Sequence, residues 1–440
     1  MMRKYILLIL IVLNASTAWS STNDSLSWYT ETAIKNNATV LQRYYEYQAA
    51  FQKIDQVESL PNPQLDLGIL LQPMEWMNGR QVADIKLMQM FPWFGALKSA
   101  KDEKILNATA SLESLAEAKL QVQFDLNTLW YELIANKQQI VLLQKNIGWM
   151  KTMDQLIQTR FQAGNLSANT MQSGAASSGM LSKATGSTGL SSIYRIQIQI
   201  GTMEDEVLTM ENKQHVLMAK FNTILNRPLN TSLTIPDSIV CIPLQANLLQ
   251  EVDTLFNGNP LLNKLNVEME ALDVQSKMQK SMSLPMIGIG LNYSIFQKSN
   301  GSTSPMNGKD MLMPMVSLSL PVYRKKYKAE QKEIEWLKAA NKQAHQITIN
   351  ELTNMYLDAK KNYLDAQRQQ VLYQSQQRLL EQSLTLTIQR FSVSSTSLDD
   401  VLQVQQLLLD NELKEIEARV AFNQAKTTIQ RIIIQKNSNE

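Results

Sequence analysis

The chain has few residues with which to do chemistry. Its 440 residues hold one cysteine, Cys241, and two histidines, His215 and His345. A single thiol excludes an intrachain disulfide and leaves no thiolate pair for zinc. The histidines stand 130 positions apart. HExxH, CxxC, GxSxG and phosphate-loop patterns are all missing, so no enzyme class finds its catalytic constellation. Charge is balanced, and a net +2 sets up no field for nucleic acid or acidic substrates. We read the protein as a non-enzyme with no cofactor, no metal site and no nucleic-acid partner.

Apolar runs long enough for a membrane helix are also lacking. The run Tyr5 to Leu13 falls well short of the roughly 20 residues that a spanning helix needs. It follows Arg3-Lys4 and precedes small residues around Ala18 and Ser20, the pattern of a secretory signal peptide over residues 1–20; a short membrane anchor is the alternative. No cysteine lies near the expected cleavage position, so amino-terminal lipidation has no acceptor. Any later crossing of a membrane must be made by strands, and in lipid these have to close into a barrel to satisfy their backbones. With 44% hydrophobic and 19% charged residues, the chain is too apolar for wholesale disorder.

Proline is absent from Lys98 to Gly164, and Gly148 is the one glycine inside that stretch. What fills it is a heptad pattern. Leu126, Leu133, Ile140, Ile147 and Phe161 form one seam, and Val122, Leu129, Leu143, Met150 and Ile157 its neighbour, interrupted by Asn136 and Asp154. This predicts one coiled-coil helix of about 65 residues, approaching 100 Å at about 1.5 Å per residue.

The landmarks occur twice. Leu60-Pro61, Phe91-Pro92 and Arg160-Phe161 are matched by Leu284-Pro285, Leu320-Pro321 and Arg390-Phe391, at offsets of 224, 229 and 230 positions. The spacing predicts an internally duplicated chain. A first repeat covers 21–235, with strands about 64–72 and 82–91 and long helices about 98–163 and 193–225. A second covers 236–440, with strands about 286–296 and 311–320 and long helices about 324–390 and 398–434.

The strands alternate. Leu65, Leu67, Ile69 and Leu71 oppose Asp66, Gly68 and Gln72, and Ile85 and Leu87 oppose Asp84 and Lys86. Ile287, Ile289, Leu291, Tyr293 and Ile295 oppose Met286, Gly288, Gly290, Asn292 and Ser294, while Leu312, Val316, Leu318 and Leu320 share the next strand's apolar parity. Such strands suit a tilted bilayer crossing or a half-buried soluble sandwich. Four cannot close a barrel, so a membrane reading requires several chains.

Taken in order, these residues resemble the TolC-type outer-membrane efflux factors over approximately Trp28 to Lys436. Leu60-Pro61 and Leu284-Pro285 precede the first strand of each half; Phe91-Pro92-Trp93-Phe94-Gly95 and Leu320-Pro321-Val322-Tyr323 follow the second. Arg160-Phe161-Gln162-Ala163-Gly164 is similar to the family's Arg-aromatic-x-x-Gly turn, and Asn222 to Pro228 to the end of its first repeat. The resemblance implies a mixed α/β membrane protein, a homotrimer whose four strands per chain build a twelve-stranded outer-membrane β-barrel continued by a long α-helical periplasmic barrel. It implies a passive exit duct carrying small molecules or metal ions from a periplasmic adaptor and an inner-membrane transporter to the exterior. It does not name the cargo. A non-conducting periplasmic or envelope scaffold of long coiled-coil helices is the alternative.

Several residues follow from the resemblance. Ser397 to Leu402 is similar to the family's tunnel-closing segment, which makes Asp400 a candidate pore constriction and places Gln403 where some members carry another acid. Three copies of Asp400 would favour cations around one axis; local capping of a helix start beside Ser397 and Asp399 is the other use. Arg390-Phe391 forms the second turn motif but lacks the glycine present at Gly164. Trp93, Phe94 and Tyr323 are candidates for a membrane interface.

Two compositional features stay outside that frame. The Gly/Ser-rich tract Ser173 to Ser192 predicts a flexible surface excursion, either a partner-docking loop or a tolerated insertion. The chain holds 22 methionines, including Met278, Met282 and Met286 before a predicted turn and Met306, Met311, Met313 and Met315 near it. Thioethers coordinate Cu(I), but without a cysteine pair or histidine cluster we read these as flexible packing.

Overall fold

The computed structural model describes residues 25–171, 184–249, 256, 258–300, 303–392 and 397–433. The expected signal peptide and residues 173–183 of the Gly/Ser-rich tract lie outside them. In chain order come α1 (Leu26–Asn36), α2 (Ala38–Glu58), β1 (Gln64–Trp76), β2 (Gly79–Phe91), α3 (Ala96–Met171) and α4 (Ala184–Ile224), then α5 (Pro260–Met282), β3 (Met286–Gln297), β4 (Met311–Ser319), α6 (Arg324–Ser392) and α7 (Leu398–Ile432). Helix, two strands and two long helices thus occur twice in the same order. No helix among the described residues is long and apolar enough to cross a membrane.

Two compact units emerge, and each draws on both halves of the chain. One comprises the described residues within 41–118 and 258–352, the other those within 1–40, 119–257 and 353–440.

The first of these units holds the only sheet among the described residues, antiparallel with strand order β1-β2-β3-β4. The two hairpins are joined through β2 and β3, where Leu87 pairs with Leu291 and Ile85 with Tyr293. Strand β1 runs on through Pro73, where a loop was expected. It is an edge strand, and the register shifts between Ile69 and Met74, so the missing N–H disrupts no obligatory ladder. Pro314 sits in β4, the opposite edge strand, for the same reason. Gly79 closes the β1–β2 turn at φ 111°, a conformation that a side chain would strain.

In the other unit the two heptad seams of α3 form the core. Leu126, Leu133, Leu143 and Met150 are fully buried, with Ile196 and Phe221 of α4 and Val401 and Ile429 of α7. Asn136, the break in the seam, is also buried, and its amide donates to the Met210 carbonyl of α4 at 2.9 Å. Helix α4 ends where the Asn222 to Pro228 motif begins to act. The Asn222 amide donates to the Leu229 carbonyl at 2.7 Å, its Oδ1 accepts from Arg227 Nε at 2.7 Å, and Asn226 takes the left-handed conformation at φ 52° common beyond helix ends.

Two expectations need correction. Helix α3 does not turn at Arg160, Phe161 and Gly164 but continues to Met171. One glycine costs a helix interior only about 1 kcal/mol, too little to stop it. In the Gly/Ser-rich tract, residues 184–192 are helical and belong to the start of α4.

Candidate functional site

Two places carry the residues singled out above, and each lies within one unit. The first is the sheet. Pairing places Leu65, Leu87, Leu291 and Pro314 in one row across the four strands and Leu67, Ile85, Tyr293 and Leu312 in the next. Ile289 with Val316 and Phe91 with Ile287 and Leu318 extend the same face. These side chains are not packed against a core: Leu71 is 94% and Val316 80% exposed. A contiguous apolar face of this kind marks an interaction with lipid or another apolar surface.

The opposite face is mixed. Its rows run Asp66, Lys86, Asn292, Met313 and then Gly68, Asp84, Ser294, Met311. Below them run Gln64, Met88, Gly290, Met315 and then Met90, Gly288, Ser317. Lys86 Nζ lies 3.8 Å from Asp66. The outer edges of β1 and β4 face no other strand among the described residues.

Aromatic side chains follow the strands. Phe94 is 84% and Tyr323 87% exposed; Trp93 is half-buried, with its ring 6.1 Å from that of Phe94. Rings left in the open directly beside an apolar strand face suit a bilayer border.

The second place is the start of α7. Ser397 caps it: the Ser397 hydroxyl accepts from the Asp400 amide at 3.3 Å, while Asp400 Oδ2 accepts from the Ser397 amide at 3.2 Å and its hydroxyl at 2.9 Å. This reciprocal capping box satisfies two orphan amides. Leu398, Val401, Leu402 and Leu409 turn inward, onto Ile147, Met150, Met153 and Ile157 of α3 and Ile193, Ile196 and Ile200 of α4. Phe391 is half-buried against the same cluster. Asp400 and Gln403 are exposed on the face of α7 away from this cluster.

The sequence reading missed one partner here. Arg195 Nη1 of α4 donates to Asp399 at 2.6 Å. The two lie 204 positions apart, and no local pattern signals the pair. Missed as well was the register that joins the two hairpins, although the shared parity of Ile85, Leu87, Leu291 and Tyr293 was the available sign.

The same order of helices, strand pairs and long helices is found in solved outer-membrane channels. The fold is similar to that of VceC from Vibrio cholerae, with a TM-score of 0.71 and 12% identity over 94% of this chain and 98% of that one. It is similar to CusC, at 0.73 and 11% over 94% and 95%, and to the open-state MtrE channel of Neisseria gonorrhoeae, at 0.67 and 11% over 93% and 88%. At such identities the likeness concerns the fold. Among curated proteins none matches by sequence. Residues 252–433 match the outer membrane efflux protein family, so the chain matches this TolC-type family by sequence in its second half and by fold over nearly its whole length. Family and fold together support a role in efflux. Channels of this family transport and do not catalyse.

Proposed function

We propose that the protein is the passive outer-membrane exit duct of a multicomponent efflux system. Three copies supply twelve strands to one barrel, and the long helices continue the conduit on the periplasmic side. The observation that carries this reading is the four-stranded sheet with an exposed apolar face and two unpaired edges. In water both features are liabilities. In a bilayer, closure with neighbouring copies satisfies the edges and lipid covers the face.

A duct of this kind needs no energy source of its own. An inner-membrane transporter supplies the drive and chooses the cargo, whether small molecules or metal ions, and a periplasmic adaptor connects the two. Asp400 and Gln403 line the periplasmic constriction, where three carboxylates favour cations. The exposure of Asp400 beside its capping box supports this placement, because it leaves the carboxylate on the outward side of α7. Arg160, Phe161 and Gly164, with Arg390 and Phe391, belong to the ends of the long helices near that constriction. Trp93, Phe94 and Tyr323 mark the bilayer border.

The test is single-channel conductance of the detergent-extracted protein in planar bilayers, with oligomer mass measured on the same fraction. A trimer with reproducible conductance is expected, and Asp400→Asn lowers its cation preference. A folded trimer that never conducts, even with adaptor added, would replace the duct with the envelope scaffold.

A further inference from the structure

In the regularly paired stretches of the sheet, methionine and branched aliphatic residues are sorted by face. Within 64–69, 83–91, 286–295 and 311–319, every Leu, Ile and Val lies on the apolar face, while Met88, Met90, Met286, Met311, Met313 and Met315 all lie on the other. Methionine used as adaptable filler has no reason to avoid the face where leucine is abundant. Its confinement to the polar face, among Asp66, Asp84, Lys86 and Asn292, calls for a different explanation.

Two of these side chains fill a hollow made by glycine, and a third, Met315, is paired beside it. Gly290 pairs with Met88 on one side and Met315 on the other; in the next row Gly288 pairs with Met90 and Ser317. A β-carbon at Gly288 would lie 2.6 Å from Met90 Sδ and 3.1 Å from Met88 Sδ, and would collide with Ser317 Oγ; one at Gly290 would lie 3.2 Å from Met88 Sδ. The two sulfurs therefore occupy the space that glycine leaves. The Ser317 hydroxyl reaches both, at 3.5 Å from Met88 Sδ and 3.7 Å from Met90 Sδ. Met88 is 5% exposed, so its thioether is held in place and not free to sweep the solvent.

We infer that Met88, Met90 and Met315, with the Ser317 hydroxyl, form a binding site for a soft monovalent metal ion, Cu(I) or Ag(I). Neutral thioethers select soft ions over hard ones. The absence of a thiolate keeps each site weak, as a conducting pathway requires, since an ion must leave as readily as it enters. Among the described residues no group of three or more histidine, cysteine, aspartate or glutamate side chains competes for a harder metal. The inference rests on the barrel reading, which turns this face toward the lumen and repeats the site three times around it.

The experiment uses the full chain, purified in detergent in a Cys241→Ser background, with Ag(I) as the probe. Calorimetry measures binding and X-ray absorption identifies the coordinating atoms. We expect sulfur-coordinated silver, with affinity at least about tenfold lower in the triple variant Met88→Leu, Met90→Leu, Met315→Leu and unchanged in Met278→Leu, Met282→Leu. A second readout needs no variant in the site: Ag(I) should protect Met88, Met90 and Met315 from peroxide, followed by mass spectrometry of the peptides. Equal oxidation with and without silver would overturn the site. So would silver binding that survives the triple substitution. Retention of an apolar fluorophore by the triple variant, with no silver site in the parent, would make this face an apolar cargo lining instead. Binding in detergent does not depend on conduction, so a protein that takes silver but never conducts would sink the duct and not the site.

Discussion

Asp400 completes a capping box with Ser397, and it is exposed, as the constriction role proposed above requires. The first role is testable by stability: Ser397→Ala should cost about 1 kcal/mol, read as a lower thermal midpoint of the extracted protein. The Arg195–Asp399 pair is half exposed on both sides, and Asp399→Asn should cost no more than roughly 1 kcal/mol. Glu412 behaves differently. Burial pushes its carboxyl up, against the opposing pull of Lys145, with Glu381 and Glu415 adding to the rise. A carboxyl raised on folding helps stability below its unfolded range and loses that contribution as pH climbs through the folded value. Glu412→Gln should therefore raise the melting temperature at pH 8 and leave it near the parent at pH 4. Ser397 and Asp400 were legible as a helix start because three positions separate them. Arg195 was not, because its partner is fixed only by how α4 packs on α7.

Periodicity was the most readable property of the elements. The seam through Leu126, Leu133 and Ile140 appears as a buried stripe, since heptad spacing is a property of the helix itself. Leu133→Ala should cost about 2–5 kcal/mol, whereas Val141→Ala, on the exposed side of the same helix, should stay within about 0.5 kcal/mol; chemical denaturation of both variants checks the contrast. Element ends were less readable. Pro73 and Gly164 both looked like stops, yet β1 and α3 pass through them, because an edge strand tolerates proline and a long helix outweighs one glycine. The alternation of the strands was plain in each hairpin, while the seating of Met88 and Met90 over Gly288 required the β2–β3 register, which links residues about 200 positions apart.

At the scale of the molecule, the apolar strand face decides between water and lipid. Leu67→Arg should destabilise the assembled protein by about 2–4 kcal/mol if that position lies near the bilayer midplane, seen as loss of heat-resistant oligomer from membranes. Asn292→Arg, on the opposite face of the same sheet, should leave the oligomer intact and alter conductance. A scaffold with both faces in water would respond weakly to either change. That the family match covers residues 252–433 while the fold match spans nearly the whole chain fits a duplicated molecule whose two halves have diverged at the level of residues but share one order of elements.

The unpaired edges of β1 and β4 have a genetic consequence. In the proposed trimer each copy closes its barrel only through the strands of the other two, so one misfolded copy spoils an assembly that contains two sound ones. A cell making equal amounts of sound and defective chains would form only roughly one wholly sound trimer in eight by random mixing. Lesions that break strand pairing without preventing assembly should thus be dominant over the intact allele, whereas lesions that keep a chain from joining should be recessive.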